Sequence, residues 1–484
     1  MSKLFGCVSL LGFASICLWF GCGASTNTIP TNANRFPVVV FSDLHFNPFY
    51  DPTLFTTNPT LCTTADPSQW AAIFQTSAIT TPSTWGTDTN YPLLVLALSS
   101  IKQNLGASPL IIYTGDLIGH RFAGLFYKYC ENNDTSQVAA MQSFTDKTVA
   151  FVAQQIRASV GNLPVMFAIG NIDSYTGYGP DSTFLSNTAD TFYSQFVNGS
   201  VDHQTFLNTF TSGGYYSAQP FGTHLVVIGL NTNVFALGVP GDNDAAVAAE
   251  LAWLDSTLAA AQAAGQKVWL LMHVPPGANT VTTAGSLVNG QIVSGTMMMY
   301  QSYQASFLQI LAKYPGVITM TLGAHTHMDE YRILSPSIVL DEVPAITPCF
   351  GENPAYKVFT LTQNTLTPTD YRSLNYDLAA LPLPAQFNNY YTFSAAYSMT
   401  GPLSASLTQL YPQLATNIAL GPAQPPNAQQ ALYIGQYNSG NTAWNVNANP
   451  TVLWNPVTLA TWPVFVCGIG KMGQLDFEDC VNSY

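Results

Sequence analysis

The chain is short of charge. Only 8% of its 484 residues are Asp, Glu, Lys or Arg, where about 25% is usual for a globular protein. Cations are the scarcer sign: 13 Lys and Arg stand against 26 Asp and Glu, leaving a net charge of -13. A sequence-independent grip on a nucleic acid backbone needs many phosphate-neutralising cations, so that class is excluded. No Cys-x-x-Cys occurs, which removes a thiolate zinc site. Beyond the first 24 residues no apolar run approaches the 18 or so that a membrane span needs. Thr, Asn, Ser and Gln take the place of the missing charges, as expected of an exported, acid-tolerant surface.

Lys3, the apolar stretch Leu4 to Phe20 and the small residues Gly21 to Ser25 form the three regions of a signal peptide, cleaved after Ala24. The expected location is secreted, extracellular or periplasmic, with acylation of Cys22 as the lipoprotein alternative. Residues 25–35 are then a flexible linker. Five cysteines remain after the leader. Cys467 with Cys480 would close a short C-terminal loop, Cys62 with Cys130 is a second candidate pair, and Cys349 is left as a buried thiol; sequence alone does not settle the pairing.

What is present is a set of buried-strand signals that stop at polar residues. Phe36 to Phe41 is β-branched and apolar, and ends in Ser42-Asp43-Leu44-His45. Leu110 to Tyr113 runs into Thr114-Gly115-Asp116, with His120 four residues on. Val165 to Ile169 ends in Gly170-Asn171-Ile172-Asp173, Leu225 to Ile228 is a fourth strand, and Lys267 to Met272 ends in His273-Val274-Pro275-Pro276-Gly277. Val317 to Leu322 ends in Gly323-Ala324-His325-Thr326-His327. Helical patterns at Thr135–Val160, Asp242–Ala264 and Tyr300–Lys313 alternate with these strands, which argues an α/β core. A long Pro, Thr and Asn-rich insertion, 47–91, is expected to wall the crevice at the strand ends. Past about residue 365 Tyr, Asn, Leu and Pro dominate; helices at Phe393–Met399 and Ala405–Leu414 and a loop at Gly421–Asn427 are expected there.

In open α/β sheets, reactive groups gather beyond the carboxyl ends of the strands. The groups so placed are Asp43, His45, Asp116, Asn171, His273, His325 and His327. Two carboxylates, one amide and four imidazoles are nitrogen and oxygen donors that suit zinc, manganese or iron better than calcium. A shared carboxylate can bridge two such ions, and an ion pair of that kind serves water attack on phosphorus. His203 and His224 lie off these motifs and read as ordinary surface residues.

The motifs D-x-H, G-D, G-N, H-x-P-P-G and G-x-H-T-H, in this order, resemble the calcineurin-like metallophosphoesterases. Within them, the added stretches Gly214-Tyr215-Tyr216, Leu230 to Asn233, His325 to Glu330 and Asn353 to Tyr356 are similar to the acid sphingomyelinase-like phosphodiesterases. The resemblance covers about Phe36 to Thr360. It implies two mixed β-sheets sandwiched between helices (a four-layer sandwich) over residues 36–365, followed by a small C-terminal helical subdomain, 366–484. It implies two divalent ions, zinc foremost: one on Asp43, His45, Asp116 and His327, the other on Asp116, Asn171, His273 and His325. A hydroxide between them would attack phosphorus while His120 protonates the leaving oxygen. The substrates implied are phosphodiesters or pyrophosphates, phospholipid head groups or nucleotides among them, taken by a monomer with peripheral contact to a membrane surface. Position 172 departs from the pattern, carrying Ile where the family usually has His. An endopolyphosphatase branch of the superfamily also lacks that His and keeps a following Asp, as Asp173 does here, which is one alternative reading; a non-catalytic surface binding protein on the same scaffold is another. No saposin-like segment precedes Phe36.

Overall fold

The computed structural model describes residues 34–222, 224–238, 243–417, 426–441 and 457–484. The expected leader, the Cys22 alternative, all of the linker but residues 34 and 35, and most of the 421–427 loop lie outside the described residues.

Among the described residues twelve strands form two six-stranded sheets. They are β1 (Arg35–Phe41), β2 (Ile111–Tyr113), β3 (Val165–Phe167), β4 (Tyr216–Ala218), β5 (Leu225–Gly229), β6 (Lys267–Leu271), β7 (Ile318–Gly323), β8 (Tyr331–Ser335), β9 (Ile338–Glu342), β10 (Ala355–Thr362), β11 (Pro368–Asn375) and β12 (Asn388–Thr392). The first sheet runs β12-β11-β10-β1-β2-β3 and the second β4-β5-β6-β7-β9-β8. β1, β2 and β3 pair in parallel, as do β5, β6 and β7. Each parallel trio therefore ends on the same edge, and its loops share one rim.

The alternation along β6 shows how the layers stack. Trp269 and Leu271 join the apolar core shared with the first sheet, whereas Val268, Leu270 and Met272 face a second core. That second core is closed by Val247, Leu254 and Leu258 of the helix Asp244–Ala263 and by Phe307 and Leu311 of the helix Gln301–Ala312. A strand buried on both faces must be apolar at every position, which is why these strands read so clearly in the sequence. The helices Tyr91–Asn104 and Val138–Val160 supply Leu94, Leu98, Val149 and Val152 to the first core. This is the expected pair of mixed sheets between helices.

The texture change near residue 365 falls within a sheet: β11 and β12, both beyond it, extend the first sheet from β10. The helical part of the C-terminal region is real, with helices at Phe393–Tyr397, Leu403–Leu414, Ala428–Gln436, Trp462–Gly470 and Gln474–Asn482. Disulfides join Cys62 to Cys130 and Cys467 to Cys480, and Cys349 is free and half-buried. The insertion 47–91 is not open loop. It folds into short helical turns that bury Phe49, Leu61 and Trp70. Among the described residues no helix is long and apolar enough to cross a membrane.

Candidate functional site

The rim where both parallel trios end collects the polar residues named from sequence. Asp43 and His45 follow β1, Asp116 follows β2, Asn171 follows β3, His273 follows β6, and His325 with His327 follow β7. Tight turns bring them in. Asp43 N–H donates to Gly115 O and His45 N–H to Asp116 O, both at 3.0 Å, so the first two loops run as a short ladder. Asp173 fastens the next one: its carboxylate accepts from the N–H groups of Asp116, Leu117 and Gly170 at 3.0, 2.7 and 3.0 Å. The two glycines are required by space. A Cβ on Gly170 would collide with the Asp116 carboxylate, and one on Gly115, whose φ is +110°, with His273.

Asp43, His45, Asp116, His325 and His327 all have φ between +43° and +74°. Left-handed backbone at a non-glycine residue costs on the order of 1–3 kcal/mol and persists only where the surroundings enforce it. Five such residues on one rim mark a site at which side-chain direction outweighs local comfort.

All seven side chains meet. Asp43 Oδ1 lies 3.3 Å from His327 Nε2 and 3.7 Å from His45 Nε2. Asp116 Oδ2 sits between two imidazoles, 3.3 Å from His45 Nε2 and 3.1 Å from His273 Nε2. Asn171 Oδ1 lies 2.8 Å from His273 Nε2 and 2.8 Å from His325 Nδ1. The contacts thus fall into two clusters that share Asp116: one with Asp43, His45 and His327, the other with Asn171, His273 and His325. Only Oδ2 of Asp116 faces both, because Oδ1 accepts from the Ile172 N–H at 2.8 Å.

The outer ring nitrogens fix the tautomers. His45 Nδ1 meets the Ile118 carbonyl at 3.1 Å, His273 Nδ1 the Thr114 carbonyl at 2.8 Å, and His327 Nδ1 the Glu352 carboxylate at 3.1 Å. With Nδ1 occupied from outside, each Nε2 points inward as a lone-pair donor, the arrangement of imidazoles that bind metal. His325 is turned the other way, Nδ1 inward. Both Asp43 oxygens and His45 Nε2 are fully buried with no hydrogen-bond partner among the described residues. Buried charge without a partner is costly, so a cation is the missing component.

Protonation points the same way. Burial raises the Asp43 and Asp116 carboxyls, but the surrounding imidazoles outweigh it and both end lowered. Burial pushes His45 and His273 down, yet the Asp116 charge prevails: His45 is raised well above its ordinary value and His273 to about 9. His325, desolvated and facing His273, falls to about 3, and His327, chiefly through burial, falls well below its usual range. A divalent ion bound at these nitrogens would displace such protons.

His120 stands beside this group, its ring stacked on His45 with centroids 4.1 Å apart. Asp88 holds it from behind: Oδ1 is 2.8 Å from His120 Nδ1 and Oδ2 accepts from the His120 N–H at 2.7 Å. That leaves Nε2 to face a cavity of about 340 Å³, whose wall includes Asp116, His120, Asn171 and His325 and, on the apolar side, Ile172, Met298, Met328 and Phe350. No residue of the insertion 47–91 lines this cavity; its contribution is Asp88. His203 pairs with Asp190 at 2.8 Å on the surface and His224 is exposed, both away from the site. Sequence reading passed over Asp88 and Glu352. Neither ends a strand, and only their contacts with His120 and His327 reveal them.

Comparison with known proteins agrees with the geometry. Residues 36–329 match the family model described as calcineurin-like phosphoesterase. The cyclic GMP-AMP phosphodiesterase SMPDL3A of Rattus norvegicus is 26% identical over 456 residues, covering 90% of this chain and 92% of that protein. Sphingomyelinase phosphodiesterase C of Dictyostelium discoideum is 25% identical, over 59% of this chain and 61% of its own length. The sphingomyelin phosphodiesterase of Homo sapiens is 24% identical over 58% of this chain and 41% of its own. A solved structure of a dimetal phosphatase from Danio rerio aligns at a TM-score of 0.41 with 11% identity, covering 70% of this chain and 95% of that one.

Proposed function

This chain belongs to the calcineurin-like phosphoesterase family, and on that premise we propose that it is an exported phosphodiesterase working with two divalent ions, zinc foremost. One observation carries the reading: the Asp43 carboxylate, buried and without a hydrogen-bond partner, faces inward-pointing imidazole nitrogens. The donor set fits two ions. Asp43, His45, Asp116 and His327 would hold one; Asp116, Asn171, His273 and His325 would hold the other, with Asp116 Oδ2 common to both. Bound there, divalent ions supply an acidified water and positive charge for phosphoryl oxygens.

The chain's own residues do the rest. His120 Nε2 gives its proton to the departing ester oxygen, its ring orientation set by Asp88. Ile172, Met328 and Phe350 exclude bulk water from one side of the cavity, which strengthens the polar contacts inside it. Among the described residues no Lys or Arg lines the cavity. A polyphosphate chain would find no cations beyond the ions themselves, so single phosphodiesters with an uncharged arm, such as phospholipid head groups or nucleotide esters, fit better than polyphosphate. Two disulfides suit an oxidising compartment.

The test is a substrate panel on metal-loaded protein: bis-p-nitrophenyl phosphate, an alkyl phosphodiester, sphingomyelin, ATP and tripolyphosphate. Turnover of diesters above tripolyphosphate is expected. Tripolyphosphate as the best substrate would overturn the reading in favour of a polyphosphatase, and no turnover of any would leave a binding protein.

A further inference from the structure

We propose that Tyr178 is a further catalytic residue of this cavity, its phenol donating a hydrogen bond to a non-bridging oxygen of the bound phosphoryl group. The inference rests on the phosphoryl-binding reading of the site given above. Tyr178 lines the same cavity as Asp116, His120 and Asn171. Its ring meets His325 edge-on, at 6.5 Å between centroids and 77° between planes. The residue is half-buried, its ring packing on both apolar cores. A phenol on the cavity wall beside a candidate metal ligand is within reach of whatever enters.

The backbone fixes where the residue sits. After Asn171 the chain turns back on itself: Ser174 N–H donates to Ile172 O at 2.7 Å, Gly177 N–H to Ser174 Oγ at 2.9 Å, and Gly179 N–H to Asn171 O at 2.6 Å. Tyr178 is thus tied through its neighbour to the residue whose amide oxygen bridges His273 and His325. Its position relative to that pair is set before any ligand arrives.

Apart from His120, several other groups on the wall are engaged. The Ile172 side chain has no donor, and its N–H is engaged by Asp116. The Thr326 hydroxyl donates to Glu342 at 3.0 Å, and the Thr280 hydroxyl lies 3.5 Å from that of Tyr437. The Asn279 Oδ1 caps the following helix by accepting from Thr282 N–H. A phenol is a hydrogen-bond donor across the neutral range. Displacement at phosphorus builds charge on the equatorial oxygens, and a neutral donor reaching them would help the transition state more than the ground state.

The experiment is Tyr178→Phe in the full chain. For bis-p-nitrophenyl phosphate, kcat is expected to fall about 10- to 100-fold with KM changed little. An alkyl diester should lose the same factor, because the donor serves a non-bridging oxygen rather than the leaving one. Inorganic phosphate, titrated calorimetrically, should bind about tenfold more weakly, the worth of one hydrogen bond, with metal content and melting temperature unchanged. Unaltered kcat and unaltered phosphate affinity would overturn the role of Tyr178 while leaving a working phosphodiesterase. A loss of metal or of thermal stability that accounts for the drop would also overturn it, as a structural effect. If the parent chain binds phosphate in a Tyr178-dependent way but hydrolyses no diester, the contact stands and the phosphodiesterase reading falls. If it neither binds phosphate nor turns over any ester, both fall.

Discussion

Two buried clusters of charge lie in this molecule, and they are built on opposite plans. Linking the two sheets, Lys357 of β10 reaches Asp341 of β9 at 2.6 Å and Asp329 at 2.7 Å, while Arg332 of β8 pairs with Glu342 and donates to the carbonyls of Pro276 and Ala278 at 2.9 Å each. Tyr391 completes that network by donating to Asp329 Oδ2 at 2.8 Å. Cations and anions are supplied by the chain itself. At the strand-end rim, by contrast, no Lys or Arg lies among the seven candidate ligands, and Asp43 has neither oxygen hydrogen-bonded. Burial alone therefore does not mark a functional site. What marks it is buried charge that the chain leaves uncompensated, on backbone held in left-handed conformation.

Breaking the self-sufficient cluster should cost stability and spare the ligand set. Lys357→Met leaves Asp341 and Asp329 buried without their cation, a loss of about 3–5 kcal/mol, measured by denaturant unfolding. Metal content of the protein that remains folded should be unchanged. A variant as stable as its parent would show that the network does not need its lysine.

The rim carries its own supporting carboxylate, and removing it should do the reverse. Asp88→Asn loosens the His120 ring without touching the core, so turnover of an alkyl phosphodiester should drop about 10- to 100-fold, as for loss of general acid catalysis. A p-nitrophenyl diester, whose leaving group needs little protonation, should suffer much less. Equal losses for both would remove the acid role from His120.

A third buried carboxyl, outside both clusters, sharpens the contrast in pH. Glu250 accepts one hydrogen bond, from the Asn231 N–H at 2.8 Å, and its other oxygen is unpartnered. Burial raises it from 4.5 to about 8. The folded state therefore holds this proton where the unfolded state has lost it, and stability declines as pH rises from 4.5 through about 8. Glu250→Gln should flatten that decline and leave a chain more stable by a few kcal/mol at pH 9, with no effect at pH 4. Identical pH profiles for the two chains would contradict the assignment.

The residues that were legible in the sequence are those set by strand geometry. β1, β2, β3, β5, β6 and β7 are buried on both faces, so each is an apolar run, and the polar residue after each run falls on the rim. β4 and β8 to β12 are not announced by such runs, and β11 shows one reason. β11 reads Pro-Thr-Asp-Tyr-Arg-Ser-Leu-Asn, with half-buried polar positions at Thr369, Asp370 and Arg372 that hide its strand character. Antiparallel pairing to β10 made it a strand, a contact no local pattern announces. Asp88, Glu352 and Tyr178 were equally invisible as site residues. Each sits in a loop, and its relevance lies wholly in what it meets across the fold.

The uncompensated rim makes one demand that can be measured directly: metal per chain. Elemental analysis of the purified protein should find two divalent ions per chain, falling to one or none in Asp116→Ala, whose Oδ2 the two clusters share, and staying at two in Lys357→Met. A parent chain that binds no divalent ion, even after incubation with zinc or manganese, would contradict the account.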